Sequence, residues 1–104
     1  LLASVEAALA AAHTTVSGTW RTSRVIHAQL ETRGAIGRID ETGRLDIRTS
    51  SQVPFLVRDE LAHLLELDRD RVRVRTARVG GGFGGKQEMF CEDLVAIAVL
   101  RTGR

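Results

Sequence analysis

The sequence predicts an α+β fold, a small mixed β-sheet covered by two amphipathic helices. Three observations carry this prediction: two short segments flank an acid-then-glycine turn, two others repeat apolar residues at helical spacing, and a further alternating segment lies between those helices. In chain order, the Ala- and Leu-rich residues 3–12 read as a short helix. The β-branched switch at Thr14-Thr15-Val16 predicts a strand over residues 14–21, and residues 22–32 follow no clean period. Ala35 to Ile39 and Leu45 to Thr49 flank Asp40-Glu41-Thr42-Gly43, the chemistry of a hairpin loop. The second arm alternates, with Leu45, Ile47 and Thr49 on one face and Asp46 and Arg48 on the other, so the first face requires a cover. Pro54 suits a first helical position, and Val57, Leu61, Leu64 and Leu65 form one stripe, which predicts a helix over residues 54–66. Val72 and Val74 alternate with Arg71, Arg73 and Arg75 in the next strand, which runs into Gly80. Beyond the glycines, Phe90, Leu94, Ile97 and Ala98 predict a second covering helix over residues 88–101, acidic at its start through Glu88, Glu92 and Asp93.

Composition narrows the class. With 104 residues, 43% apolar and 27% charged, the chain is one small domain or part of a larger one, and disordered and collagen-like classes are excluded. No apolar run approaches the roughly 18 to 20 residues that cross a bilayer, and Glu6 interrupts the Ala-rich start, so the expectation is a soluble chain with no membrane partner. A start at Leu1 and a close at Thr102-Gly103-Arg104, just behind an apolar segment, predict a fragment of a longer polypeptide. The lone Cys91 permits no internal disulfide, and His13, His27 and His63 lack zinc-type spacing; no metal site and a reducing, cytoplasmic setting are expected. All basic residues but Lys86 are arginines, interleaved with Asp and Glu and accompanied by one Trp and three Phe. That pattern describes a solvated surface better than a nucleic-acid footprint, and Arg71, Arg73, Arg75 and Arg78 make only a narrow stripe.

The segment Gly80-Gly81-Gly82-Phe83-Gly84-Gly85-Lys86 carries the most chemistry. Five glycines around one ring exceed what a simple turn requires, so either another group approaches this backbone closely or the chain makes an unusually tight crossover. Consecutive N–H groups without β-carbons can converge on an anion or polar ligand beside the next helix start. By letter the loop fits both Gly80-x-Gly82-x-x-Gly85 and Gly80-x4-Gly85-Lys86, which leaves a phosphate- or nucleotide-binding module using Lys86 as an alternative. Against it, Gln87 stands where a P-loop needs Ser or Thr for magnesium, and no second strand ending in an acid follows. Phe83 is left unexplained by either nucleotide pattern and predicts a ring that packs on a planar group.

Three blocks, His27-Ala28-Gln29-Leu30-Glu31-Thr32, Thr49-Ser50-Ser51-Gln52-Val53-Pro54 and Val79 to Lys86, resemble in order and spacing the large, molybdopterin-binding subunit of the molybdenum hydroxylases, the xanthine dehydrogenase and aldehyde oxidase family. The resemblance covers residues 16–104 and implies part of a larger molybdopterin-binding domain. It also implies hydroxylation of an aromatic N-heterocycle, purine-like, or an aldehyde, with oxygen from water and electrons leaving through 2Fe-2S clusters and FAD on partner subunits or domains. Gly82, Phe83 and Gly84 would then bind the cofactor, and Gln87 would contact substrate at a position where purine-oxidising members carry Glu. A neutral amide can donate and accept hydrogen bonds there but cannot share a carboxyl proton. The family often places Gly-Gln ahead of the His block; here Arg24-Val25-Ile26 precede it. The residues themselves read His27 and Glu31 as a polar pair anchoring a turn, Gln52 as a hydrogen bonder at a helix entry and Cys91 as a small core residue. The resemblance implies a catalytic base several hundred residues downstream, so these 104 residues hold no catalytic residue and are expected to be inactive alone.

Overall fold

The computed structural model describes residues 2–103. Three helices and three strands follow the order α1 (Leu2–Ala11), β1 (Ala35–Ile39), β2 (Leu45–Thr49), α2 (Pro54–Leu64), β3 (Val72–Thr76) and α3 (Glu92–Thr102), with one turn of 3-10 helix at Arg69–Arg71 leading into β3. The sheet is mixed, in the order β1-β2-β3: β1 pairs antiparallel with β2 from Ala35 opposite Thr49 to Ile39 opposite Leu45, and β3 pairs parallel with β2. Asp40 makes the hairpin: its Oδ1 accepts the amides of Thr42 at 2.9 Å and Arg44 at 3.0 Å and the Thr42 hydroxyl at 2.7 Å. The Thr42 hydroxyl and then the Arg44 amide, with others behind them, hold this carboxyl down at about 2. A parallel return to β3 needs a crossover, and α2 supplies it.

The core is one cluster of Leu45, Ile47, Val57, Leu61, Ala62, Val72, Ala96 and Val99. Helix α2 lies against β3 and α3 against β1 and β2, so both cover the face that carries Leu45, Ile47 and Thr49. Full burial of each large aliphatic here contributes about 1.5–3 kcal/mol. Among the described residues no helix packs on the opposite face. Ile36, Arg38, Arg48, Arg73 and Arg75 are exposed on it, but Asp46 is 3% exposed because the Arg38 and Arg75 guanidinium groups close over its carboxylate.

Several expectations need correction. Residues 14–21 form no strand; a β-branched run becomes one only where another strand accepts its hydrogen bonds, and residues 4–28 are exposed throughout. Helix α2 ends at Leu64, and Ala62 occupies the core where Leu64 was expected, while Leu65 is half-buried. The last helix begins at Glu92, not at residue 88, and its buried face is Glu92, Ala96 and Val99 with Val95 half-buried. The predicted stripe of Phe90, Leu94, Ile97 and Ala98 is exposed. Residues 94–100 are apolar all round, so the pattern held two candidate faces, and local partners decide between them. Gly37 on β1 leaves the room that Val95 and Val99 fill, and the Glu92 carboxylate anchors the helix start to Thr49 on β2. Among the described residues no helix is long and apolar enough to cross a membrane.

Candidate functional site

The three sequence blocks meet at one end of the sheet. Strands β2 and β3 both end there, at Thr49 and Thr76, and β1 begins there, so residues 27–34, 50–53 and 77–91 are brought together by topology. In open sheets the carboxyl ends of parallel strands are where ligand crevices form.

The glycine loop is held mainly at its neck. One oxygen of Glu31, Oε2, accepts the Gly80 amide at 2.8 Å and the Lys86 ammonium at 2.6 Å, and the Glu31 amide donates to the Gly80 carbonyl at 3.1 Å. Its carboxyl sits below the usual range, first because of the Lys86 hydrogen bond and next because of the Gly80 amide. From the other side, Gln52 takes the Lys86 backbone amide on Oε1 at 3.1 Å and donates its own backbone N–H to the Lys86 carbonyl at 2.9 Å. Ser51 donates its hydroxyl to that same carbonyl at 3.3 Å. Arg33 donates through Nε to the Gly85 carbonyl at 3.0 Å while its guanidinium lies 4.0 Å from the Phe90 ring centre.

Close packing explains several glycines without any ligand. A β-carbon on Gly80 would stand 2.6 Å from that of Glu31, one on Gly82 would overlap the Gln52 carboxamide, and one on Gly85 would lie 2.9 Å from the His27 ring. What packing leaves over is the tip. The Gly85 amide bonds the Gly82 carbonyl at 2.7 Å across Phe83 and Gly84, whose φ values of +49° and +85° are those of a type I′ turn. Such turns take Gly, Asn or Asp; a phenylalanine in this conformation costs roughly 1–2 kcal/mol. Phe83 is 74% exposed. Among the described residues no protein acceptor meets the amides of Gly81, Gly82, Phe83 or Gly84. This stretch thus leaves N–H donors without a protein acceptor beside an exposed phenylalanine, a donor set that suits an oxygen- or sulfur-rich group such as a molybdenum–pterin centre.

Gly82, Phe83 and Gly84, the residues that the resemblance implied as cofactor contacts, make up this turn, and Gln87 follows the neck, exposed and without a hydrogen-bond partner among the described residues. The phosphate-binding alternative finds no support: the Lys86 side chain is 1% exposed, and its ammonium is paired with Glu31. Glu31 does anchor the turn, though with Lys86 and not with His27. Gln52 latches the loop and makes no cap for α2. Cys91 is half-buried, and burial, reinforced by Glu92 and Asp93, raises its thiol. No group of three or more His, Cys, Asp or Glu side chains gathers as a metal site among the described residues. Sequence reasoning missed Arg33, one of many arginines, and Glu92, which looked like ordinary first-turn charge. It also missed the partner of Lys86, although the only lysine in an arginine-rich chain was a usable signal.

A family model described as the molybdopterin cofactor-binding domain matches residues 3–104. The xanthine dehydrogenase of Drosophila pseudoobscura pseudoobscura is 39% identical over 102 residues, 96% of this chain and 8% of that protein. The nicotinate dehydrogenase large molybdopterin subunit of Eubacterium barkeri is 33% identical over 98 residues, 94% of this chain and 23% of that protein. The crystal structure of quinoline 2-oxidoreductase from Pseudomonas putida 86 superposes with a TM-score of 0.73 at 33% identity, covering 91% of this chain and 12% of that one. The chain therefore spans less than a quarter of the length of these relatives.

Proposed function

Starting from a chain that belongs to the molybdopterin cofactor-binding domain family, we propose that residues 1–104 form one domain in the large subunit of a xanthine dehydrogenase-like molybdenum hydroxylase. The observation that carries this reading is the row of unpartnered amides from Gly81 to Gly84 beside an exposed Phe83 held at positive φ. The bound cofactor supplies the two-electron centre at which an aromatic C–H bond and water become C–OH, with two protons and two electrons released. By the family resemblance, 2Fe-2S clusters and FAD on partner subunits or domains would accept the electrons.

The chain's own part is to bind and orient. Gly82, Phe83 and Gly84 direct N–H groups at the cofactor, and the Phe83 ring covers it against water. The exposed Gln87 carboxamide contacts the substrate, donating to a ring carbonyl or nitrogen and accepting from a ring N–H. The relatives are named for xanthine, nicotinate and quinoline, all aromatic N-heterocycles, which favours that substrate class over aldehydes. None of the local carboxylates serves as the base: Glu31 is tied to Lys86, Glu92 is buried under three hydrogen bonds, and Glu88 is exposed with Arg33 at 3.7 Å. A reducing cytoplasmic setting agrees with a single cysteine.

The test uses the full-length protein with its partner subunits, expressed where the cofactor is made. Elemental analysis should find molybdenum, and Phe83→Ala should lower turnover more than Gln87→Glu, which should chiefly alter preference among heterocycles. A metal-free complex, or full turnover in the Phe83 variant, overturns the assignment.

A further inference from the structure

We propose that Glu31 and Lys86 are positioning residues: their ion pair clasps the neck of the glycine loop and thereby aims the free amides at its tip. The proposal rests on the functional reading above for the identity of the group that the tip faces, but its geometry is independent of that reading. One carboxylate oxygen holds the loop's first residue through the Gly80 amide and its last through the Lys86 ammonium, at 2.8 and 2.6 Å. The span between is short enough that fixing both ends fixes the path. Glu31 sits in the segment that runs into β1, so the clasp also joins the loop to the sheet. Gln52 holds only the Lys86 end, leaving Gly80 dependent on Glu31.

Two features show that the tie has work to do. Phe83 sits at φ +49°, a conformation that relaxes unless its surroundings enforce it. The Lys86 side chain is 1% exposed, and its ammonium has Glu31 as its sole ion-pair and side-chain hydrogen-bond partner among the described residues. Removal of the carboxylate strands a buried cation, whereas removal of both charges does not. The pair should therefore show coupling, with the double variant milder than Glu31→Gln alone.

The experiment compares Glu31→Gln, Lys86→Met, the double variant and Glu31→Asp in the full-length complex. It reads molybdenum per protein, hydrogen exchange of residues 80–86, and kcat and KM of the loaded fraction. Glu31→Gln should lower molybdenum content or kcat roughly tenfold, as loss of a supporting contact around a metal group does. Exchange at residues 81–84 should rise, KM should stay within twofold by the same reasoning, and the double variant should recover part of the loss. Wild-type molybdenum content and exchange in both single variants overturn the clasp, as does a double variant worse than Glu31→Gln. Should Glu31→Gln fail to fold, Glu31→Asp decides: it keeps the charge but withdraws the oxygen, and unchanged exchange and metal content in it also overturn the clasp. A wild-type complex without molybdenum refutes the functional reading instead, and the exchange data then judge the clasp by themselves.

Discussion

Glu92 provides a sharp test of how the last helix is seated. Its carboxylate is 3% exposed and receives the Thr49 hydroxyl at 2.5 Å, the Phe90 amide at 2.8 Å and the Cys91 amide at 3.0 Å. Replacement by Gln keeps the shape. The amide oxygen can retain both backbone donors, and its NH2 can donate to Thr49, whose own proton then turns to the Gly34 carbonyl 3.4 Å away. Only the charge assistance is lost, about 1–2 kcal/mol for bonds that weaken by roughly half. Replacement by Ala leaves the Phe90 and Cys91 amides without their acceptor and opens a void, about 3–4 kcal/mol in total. Burial opposes ionisation of Glu92, but Thr49 and the two amides outweigh it and hold the carboxyl below the ordinary glutamate range. With the folded value depressed, this stability is complete above the unfolded value and is lost as pH falls through the folded one. Urea unfolding of the 104-residue chain at pH 7 and at decreasing pH should give the order wild type, Gln, Ala, with the acid slope reduced in both variants. An Ala variant within 1 kcal/mol of wild type, on the scale of a single weak hydrogen bond, would refute the proposed seating.

Two further outcomes follow from the fold. Gly37→Ala places a β-carbon 2.6 Å from Ile47 Cδ1 and 2.9 Å from Val99 Cγ2, so it should destabilise the chain by about 1–3 kcal/mol in the same unfolding assay; an unchanged midpoint would show that α3 can lift from β1 at no cost. NMR titration of the Asp40 carboxyl should give a midpoint near the value of about 2 and not 3.8. The Thr42 and Arg44 amide signals should stay fixed above the ordinary value and move only as pH falls toward 2, whereas movement near 3.8 would mean that the hairpin loop is open in solution.

Much of the sheet could be read from residues alone, because the Asp40-to-Gly43 turn and the alternation of Leu45, Ile47 and Thr49 are local signals of pairing and burial. The choice of buried face on α3 could not, because it depends on a glycine in β1 and a threonine in β2 far away in sequence. The segment 14–21 failed for the same reason: propensity is local, but a strand is a pairing. At the site, the loop's residue types pointed to the amides and the ring, while the inward turn of Lys86 reversed the obvious role of a cation after glycines. The glycines themselves were overread, since Glu31, Gln52 and His27 account for three of them by contact.

The one-sided cover of the sheet and the bare leading residues carry a practical consequence. Val16, Trp20, Val25, Ile26 and Leu30 each show about four-fifths or more of their surface to water, and Phe90 and Leu94 are exposed as well. Oily side chains displayed at this density make a polypeptide adhesive toward its own kind. Handled without a companion, these residues should cluster as concentration rises, and dilute, cold, arginine-containing buffer is the sensible condition for any spectroscopy on them.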